Sequence, residues 1–221
     1  GYLASVSFAD AMLGRLLDAL EQSPNANNTI VVLWSDHGWQ LGEKQHWRKF
    51  ALWDNVARCP LFIRLPDGTS AGEKCQRVTS LMDIYPTLLA LCQLPPRPQL
   101  DGRSLLPLLE EPSAEWDHPA LTSYDITEFA VTTEDWRYIR YLDDSEELYD
   151  LRNDPEEWHN LAGSPEHTGT KALLAAAIPP SPAPLRPESL IELQSHHVPP
   201  YTSKEDYRRR RSTTDPPAGS D

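Results

Sequence analysis

The chain has few positive charges, few cysteines and no long apolar run, and each shortage argues against a class of protein. Its 221 residues carry 20 Lys and Arg against 33 Asp and Glu, a formal net charge of −13, which argues against nucleic acid as a partner. Three cysteines do not form a disulfide framework, although one bridge with a leftover thiol stays open. No apolar run is long enough to cross a bilayer, so we predict no membrane partner.

Proline, by contrast, is abundant, with 21 residues, and it is concentrated near the end of the sequence. A chain of this length can form one or two domains. From Pro179 onward, closely spaced prolines with few apolar side chains predict an extended or mobile tail over residues 179–221. We assign no catalytic role to this tail.

The spacing of apolar side chains over residues 1–112 predicts half of a layered α/β domain. Apolar residues recur at helical spacing over residues 4–22, which indicates an amphipathic helix. A continuous β-branched and apolar run at residues 29–34 is typical of a strand buried on both faces, and residues 60–65 predict a second strand. A helix follows from residue 83 to about residue 91. The order helix, strand, loop, strand, helix indicates an α/β fold class.

A second, smaller unit is predicted over residues 113–178. Its four β-prone segments are separated by turn residues, a spacing that predicts an antiparallel meander. A short Ala- and Leu-rich helix at residues 171–178 could cover one face of the sheet. The predicted strands are residues 120–125, 129–133, 136–141 and 147–151.

Asp36 and His37 directly follow the apolar run at residues 30–34, and Gly38 comes next. In open α/β sheets, ligands bind at the carboxyl ends of strands. A carboxylate and an imidazole would supply one oxygen and one nitrogen donor to a metal there. Asp and Gly are also turn residues, so the same segment could simply end the strand. From these residues alone, both interpretations stay open.

The segment that follows, residues 39–54, is too rich in Trp, His, Lys and Arg to be an ordinary connection. Its tryptophans argue against disorder. Positive charge is concentrated in Lys44, His46, Arg48 and Lys49, within a chain that is otherwise acidic. This local reversal of charge indicates an anionic ligand. The alternative is a solvated basic loop whose side-chain stems pack on its tryptophans.

These motifs together closely resemble a known family. Residues 35–49 resemble the second metal-and-sulfate segment of the type I sulfatases, in the alkaline-phosphatase-like superfamily, and the nearest group is the iduronate-2-sulfatase-like branch. The resemblance extends over about residues 1–178. Further motifs that occur in the family's order are Pro60-Leu61-Phe62-Ile63, Met82-Asp83-Ile84-Tyr85-Pro86, Leu100-Asp101-Gly102-Arg103, Glu147-Leu148-Tyr149-Asp150, Asn153-Asp154-Pro155 and Glu157-Trp158-His159-Asn160.

The resemblance implies a role for each of five residues in the segment. Asp36 matches a metal-binding carboxylate and His37 the adjacent ligand, and the implied metal is Ca²⁺. Lys49 matches the lysine that contacts the sulfate, where it would neutralise charge and assist departure of the alcohol. His46 and Trp47 are candidates for the substrate pocket. A packing role behind the pocket is an equal alternative for these two.

The resemblance also implies parts that these residues lack. The family's nucleophile is a hydrated formylglycine made from the cysteine of a Cys-x-Pro-x-Arg segment. None of Cys59, Cys75 and Cys92 begins this pattern, and the paired N-terminal aspartates and the upstream histidine of the family's metal site have no counterpart. We therefore expect the C-terminal part of a larger enzyme, with the missing N-terminal half of the same chain as its partner. These residues alone are expected to be inactive.

The resulting hypothesis is a sulfuric ester hydrolase that acts, in the intact protein, on a sulfated small molecule or polysaccharide, with sulfated sugars as the expected class. One alternative is a phosphatase or phosphonate monoester hydrolase of the same superfamily, which shares the metal-site logic. Another is a non-catalytic relic that serves as a binding module. The resemblance further implies an exported protein, either periplasmic, secreted or lysosomal.

Overall fold

The computed structural model describes residues 1–124 and 127–180, which contain helices and short antiparallel strands. The predicted tail therefore lies outside the described residues from residue 181 onward. The helices are α1 (Tyr2–Glu21), α2 (Asp54–Ala57), α3 (Ile84–Leu91), α4 (Leu106–Glu110) and α5 (Thr168–Ala175), and the strands are β1 (Val31–Trp34), β2 (Gln40–Leu41), β3 (Trp47–Arg48), β4 (Leu61–Arg64), β5 (Ala120–Tyr124), β6 (Glu128–Thr132), β7 (Trp136–Arg140) and β8 (Glu146–Asp150).

The predicted first helix and first two strands correspond to α1, β1 and β4. Strand β1 pairs antiparallel with β4, with Leu33 opposite Phe62. The prediction that β1 is buried on both faces is wrong for the described structure, because its first three residues are half-buried and Trp34 is 51% exposed. The physical reason is that neither buried cluster of the described residues includes a residue of β1, so no packed layer covers the two faces of the strand. Helix α1 has no buried residue.

The buried Asp83 carboxylate gives a structural role to two of the sequence motifs, those at residues 82–86 and 100–103. The Asp83 carboxylate accepts hydrogen bonds from the backbone amide of Ser80, at 2.8 Å, and from that of Arg103, at 2.8 Å. It thus caps the turn before α3 and holds the segment that leads to α4. Gly102 fits this junction because a Cβ there would lie 2.0 Å from the Met82 carbonyl oxygen.

The predicted meander is confirmed by the four-stranded antiparallel sheet β5-β6-β7-β8. Its register places Tyr138 opposite Val131 on one side and opposite Leu148 on the other. The predicted covering helix is also present, although α5 lies three residues earlier than expected. The 3₁₀ turn at Pro165–His167 leads directly into α5, and Ile178 lies in the turn that follows the helix.

The core lies on both faces of this small sheet, because alternate residues of a strand point to opposite faces. On one face, Phe129, Val131, Tyr138 and Leu148 pack against α5. A second cluster on the other face includes Leu52 and Trp53 from the segment after β3. The loop that carries the candidate site is therefore packed directly on the sheet. The predicted division of the chain at residues 112 and 113 stays a prediction.

The three cysteines, all within the described residues, are free thiols, so no bridge joins them in this structure. Among the described helices, none combines the length and the apolar character that crossing a bilayer requires.

Candidate functional site

The site is organised around the carboxyl end of β1, where the chain leaves the strand and later returns. Gly38 donates its backbone N–H to the Val56 carbonyl at 2.7 Å, so both ends of the intervening loop are joined. A Cβ at Gly38 would lie 2.1 Å from the Asn55 carbonyl oxygen and 2.5 Å from that of Arg58. Only glycine lets the two backbone segments approach this closely. Residues 39–53 thus form a closed loop that begins beside Asp36 and His37.

The side chains of Asp36 and His37 place a carboxylate oxygen and a ring nitrogen close to each other. The His37 Nδ1–H donates to the Gly38 carbonyl at 2.7 Å, because a carbonyl oxygen can only accept. In the neutral ring, Nε2 then carries the lone pair, and this atom lies 3.5 Å from Asp36 Oδ2. The Asp36 side chain is 81% exposed, so its carboxylate is accessible. Fixing one ring nitrogen on a carbonyl in order to present the other is typical of metal-binding histidines.

The donor set fits a divalent cation only as part of a site. Among the described residues, no group of three or more His, Cys, Asp or Glu side chains could hold a metal ion. One carboxylate and one imidazole are suitable ligands, but Ca²⁺ takes six to eight oxygen atoms and Zn²⁺ about four ligands. Further ligands would have to come from outside these described residues or from the substrate.

The loop itself contains a small hairpin that the sequence did not predict. Strands β2 and β3 pair with Gln40 opposite Arg48 and Leu41 opposite Trp47. Four residues that are not glycine have left-handed backbone angles: Lys44 (φ 52°), Gln45 (φ 58°), Arg48 (φ 77°) and Phe50 (φ 69°). Such angles are uncommon and cost free energy unless the surroundings hold them.

His46, Trp47 and Lys49 lie in this hairpin and just after it. The His46 Nε2–H donates to the Lys49 carbonyl at 2.9 Å, so the imidazole closes the turn that presents Lys49. This bond favours the packing alternative for His46. Trp47 is exposed, which leaves the pocket interpretation open for it. The Lys49 ammonium lies 5.5 Å from the centroid of the Phe50 ring. Among the described residues, no hydrogen bond or ion pair joins Lys49 to Asp36 or His37.

The predicted basic cluster is divided in the structure. The Lys44 ammonium turns toward the small sheet, where it contacts Tyr149 and donates to the Glu157 carbonyl. Arg48 is exposed and Lys49 is half-buried, and within the described part of the chain neither forms an ion pair with a carboxylate. In a chain of net charge −13, these two cations, which have no carboxylate partner among the described residues, are a local concentration of positive charge that could attract an anion.

A buried ionic network beneath the loop was missed by the sequence analysis. Arg137, which is 2% exposed, lies 2.5 Å from Asp54 Oδ1 through Nη2 and 2.6 Å from Glu157 Oε1 through Nε. Its Nη1 donates to the Leu52 carbonyl at 3.1 Å. The other Glu157 oxygen accepts the Asp54 N–H at 3.0 Å. Burial raises the pKa of Glu157, while the Arg137 charge opposes that rise. No sequence signal predicted this network, because Asp54 lies 83 residues from Arg137 and 103 residues from Glu157.

Comparison with known proteins identifies a family that the chain resembles. A family model described as Sulfatase matches residues 1–94, which include β1 and the whole loop. A curated protein described as Sulfatase, from Formosa agariphila, is 41% identical over 197 residues, which are 89% of this chain and 39% of that protein.

Solved structures also match most of the chain. A protein in complex with its substrate D-glucosamine-2-N,6-O-disulfate matches with a TM-score of 0.70 and 26% identity, over 99% of this chain and 42% of that one. The phosphonate monoester hydrolase of Agrobacterium radiobacter matches with a TM-score of 0.67 and 28% identity, over 86% of this chain and 39% of that one. The chain thus spans about two-fifths of the length of these relatives. These matches confirm the predicted resemblance and the predicted fold class.

Proposed function

Because the chain belongs to the sulfatase family, we propose that it supplies the second metal-and-sulfate segment of a sulfuric ester hydrolase. In this role, Asp36 and His37 hold one side of a divalent cation, for which Ca²⁺ is the expected metal, and Lys49 contacts the sulfate. The two donors emerge from β1, and the closed loop returns to the same end of the strand through the bond between Gly38 and Val56.

The observation that carries the proposal is a pair of cations, Arg48 and Lys49, on the loop that follows Asp36 and His37, for which the described residues supply no carboxylate partner. A sulfate monoester is an anion and repels a nucleophile, so catalysis requires positive charge around the sulfuryl group. Two other cations near the loop, Arg58 and Arg137, are already neutralised, because both form ion pairs with Asp54. Within the described residues no carboxylate binds the Lys49 ammonium, so contact with a sulfate oxygen would not require breaking an existing ion pair.

The chain's own residues would act mainly by binding and charge stabilisation. A bound divalent cation would polarise a sulfuryl oxygen. Lys49, as an ammonium, would stabilise negative charge on the leaving alcohol oxygen and could give it a proton. His46 would hold the backbone of Lys49 through its bond to the carbonyl. Trp47, exposed beside these cations, offers an apolar surface for the organic part of the ester.

A sulfated sugar is the substrate class that we propose. Support comes from the solved relative that holds a glucosamine disulfate as its substrate. The alternative of phosphonate or phosphate ester hydrolysis is supported by the similarly close match to a phosphonate monoester hydrolase. Both reactions place an anion beside a metal and a lysine, so the described residues suit either. The nucleophile segment would decide between them: a Cys-x-Pro-x-Arg segment favours sulfate, and a threonine or unmodified serine favours phosphoryl transfer.

Turnover of a chromogenic aryl sulfate against an aryl phosphate tests this proposal. The 221 residues alone are expected to hydrolyse neither ester, because no cysteine in them begins the nucleophile pattern. A protein that also carries the nucleophile segment is expected to prefer the sulfate and to lose activity when a chelator removes the metal. Preference for the phosphate would favour the alternative reaction. Absence of both activities in that longer protein would favour the non-catalytic binding module.

In the protein that also carries the nucleophile segment, replacing Asp36 with alanine is expected to weaken metal binding by at least about tenfold, because the carboxylate that faces His37 Nε2 would be lost. Elemental analysis after dialysis against Ca²⁺ measures the metal content. Asp10→Ala is the matched control, since Asp10 is an exposed carboxylate on α1 for which no role in the site is proposed. Unchanged metal content in Asp36→Ala would remove this carboxylate from the metal site.

A further inference from the structure

Lys44 occupies a cage of three aromatic rings, one from the segment after β3 and two from β8 and the segment that follows it. Its Nζ lies 4.7 Å from the centroid of the Tyr149 ring, 5.1 Å from that of Trp53 and 5.7 Å from that of Trp158. The same ammonium donates to the Glu157 backbone carbonyl and lies 3.4 Å from the Tyr149 hydroxyl. A cation over several ring faces in a partly desolvated site is attracted by the ring quadrupoles.

The walls of the cage are held in place by other groups, so the cage is a built site. The Glu147 carboxylate accepts a hydrogen bond from Trp53 Nε1 at 2.7 Å and from the Tyr149 hydroxyl at 2.7 Å. Burial and this bond raise the pKa of Tyr149 far above its ordinary value, so the hydroxyl stays protonated. Glu157, whose carbonyl accepts from Lys44, is fixed through its carboxylate on Arg137. Residues of the small sheet therefore hold the cage in place: Glu147 of β8 binds two of its rings, and Arg137 of β7 binds Glu157.

The backbone of the loop needs such an attachment. Lys44 and Gln45 both have left-handed angles at the tip of the hairpin, and Arg48 and Phe50 have them on the way out. Strained conformations of this kind persist only where the surrounding structure holds them. Within the described residues, the side chain of Lys44 is the one that ties this tip to the sheet by a polar contact.

We propose that Lys44 is a positioning residue: its caged ammonium fixes the hairpin on the small sheet and so sets the place of Lys49. The proposal rests on the proposed function only for the role of Lys49, because the attachment itself is independent of any reaction. It also assigns a purpose to the motifs at residues 147–150 and 157–160. Tyr149 and Trp158 supply two of the three walls of the cage, and Glu157 its carbonyl.

Amide hydrogen exchange tests the attachment without requiring activity. In Lys44→Met the amides of Gln45 and His46, which bond to the carbonyls of Gly42 and Glu43 at 3.0 and 2.9 Å, are expected to exchange about tenfold faster, while β7 and β8 keep their protection. Lys44→Arg, which keeps a cation for the cage, is expected to restore most of the protection. Lys74→Met, at an exposed lysine elsewhere, is the control and should change nothing. Unchanged exchange at the hairpin, or an equal increase throughout the sheet, would overturn the proposal.

Kinetics on the longer protein with the nucleophile segment test the consequence for Lys49. In Lys44→Met, the resulting displacement of Lys49 should lower kcat for an aryl sulfate at least about tenfold, with a smaller change in KM. Lys44→Arg should recover the rate. If exchange at the hairpin rises and the parent protein hydrolyses sulfate, yet kcat stays normal, Lys44 does not position Lys49. If the parent protein has no activity toward either ester, the proposed function fails while the exchange result still decides whether the cage holds the hairpin.

Discussion

Replacing Arg137 with methionine is expected to lower the free energy of unfolding by about 3–5 kcal/mol, the range found when one partner of a buried ion pair is removed. The guanidinium is 2% exposed and lies between the carboxylates of Asp54 and Glu157. Methionine would leave the buried Glu157 carboxylate without its counter-charge, and the Leu52 carbonyl would lose a donor. The volume would be nearly kept, so most of the loss is electrostatic.

Urea unfolding followed by tryptophan fluorescence measures this loss. Arg152→Met is the matched control, because Arg152 also pairs with carboxylates, those of Asp150 and Asp135, but its side chain is 55% exposed. Exposed pairs are screened by water and contribute little, so this variant should unfold close to the parent protein. Equal stability of the two variants would show that the Arg137 network is not buried in solution.

The loss in Arg137→Met should also depend on pH. Burial raises the pKa of Glu157 above the ordinary 4.5, and removing Arg137 raises it further. A carboxyl whose folded pKa is raised is favoured in its protonated form, so its contribution to stability is present below the unfolded pKa and is lost as pH rises through the folded pKa. The difference between variant and parent should therefore be smallest below about pH 4.5 and grow toward neutrality. Adding Glu157→Gln should recover part of the loss at pH 7 and reduce this dependence.

The sequence predicted the parts of this protein whose signal is local. Helix α1, strand β1 and the meander β5-β6-β7-β8 follow from the spacing of apolar residues along short stretches of chain. The burial of β1 could not be predicted in the same way, since the apolar character of a strand does not show which layers pack against its faces. Neither buried cluster of the described residues includes a residue of β1, and Trp34 is exposed.

In the candidate site, too, the local features could be predicted from the sequence and the long-range contacts could not. Asp36 and His37 are adjacent in sequence, so their proximity could be predicted, and the resemblance supplied a role for Lys49. The different roles of Lys44 and Lys49 could not be predicted, because in the sequence both are cations of the same basic loop. What separates them is contact with Tyr149 and Glu157, which lie 105 and 113 residues from Lys44. Charge in a loop indicates an anion only after the cations that serve the fold have been removed from the count.

Replacing Lys49 with alanine is expected to reduce kcat for an aryl sulfate by about 10²–10³-fold in the protein that carries the nucleophile segment, because removing one group that stabilises developing charge costs about this much. The Lys49 ammonium rests over the Phe50 ring without an ion pair in the described structure, so its loss should leave the free energy of unfolding nearly unchanged. Catalysis and folding would then separate in one variant, unlike Arg137→Met.

The division between kcat and KM shows what Lys49 does. If the ammonium acts mainly on the leaving oxygen, kcat falls and KM changes little, whereas equal contact with ground state and transition state raises KM alone. Lys74→Ala, at an exposed lysine outside the loop, is the control for a general effect of losing one positive charge. A near-normal rate in Lys49→Ala would remove Lys49 from the mechanism, and Arg48, the other unpaired cation of the hairpin, would then be the residue to replace. A fall in kcat for Lys49→Ala, together with a smaller fall for Lys44→Met that Lys44→Arg reverses, would place the charge at Lys49 and its positioning at Lys44.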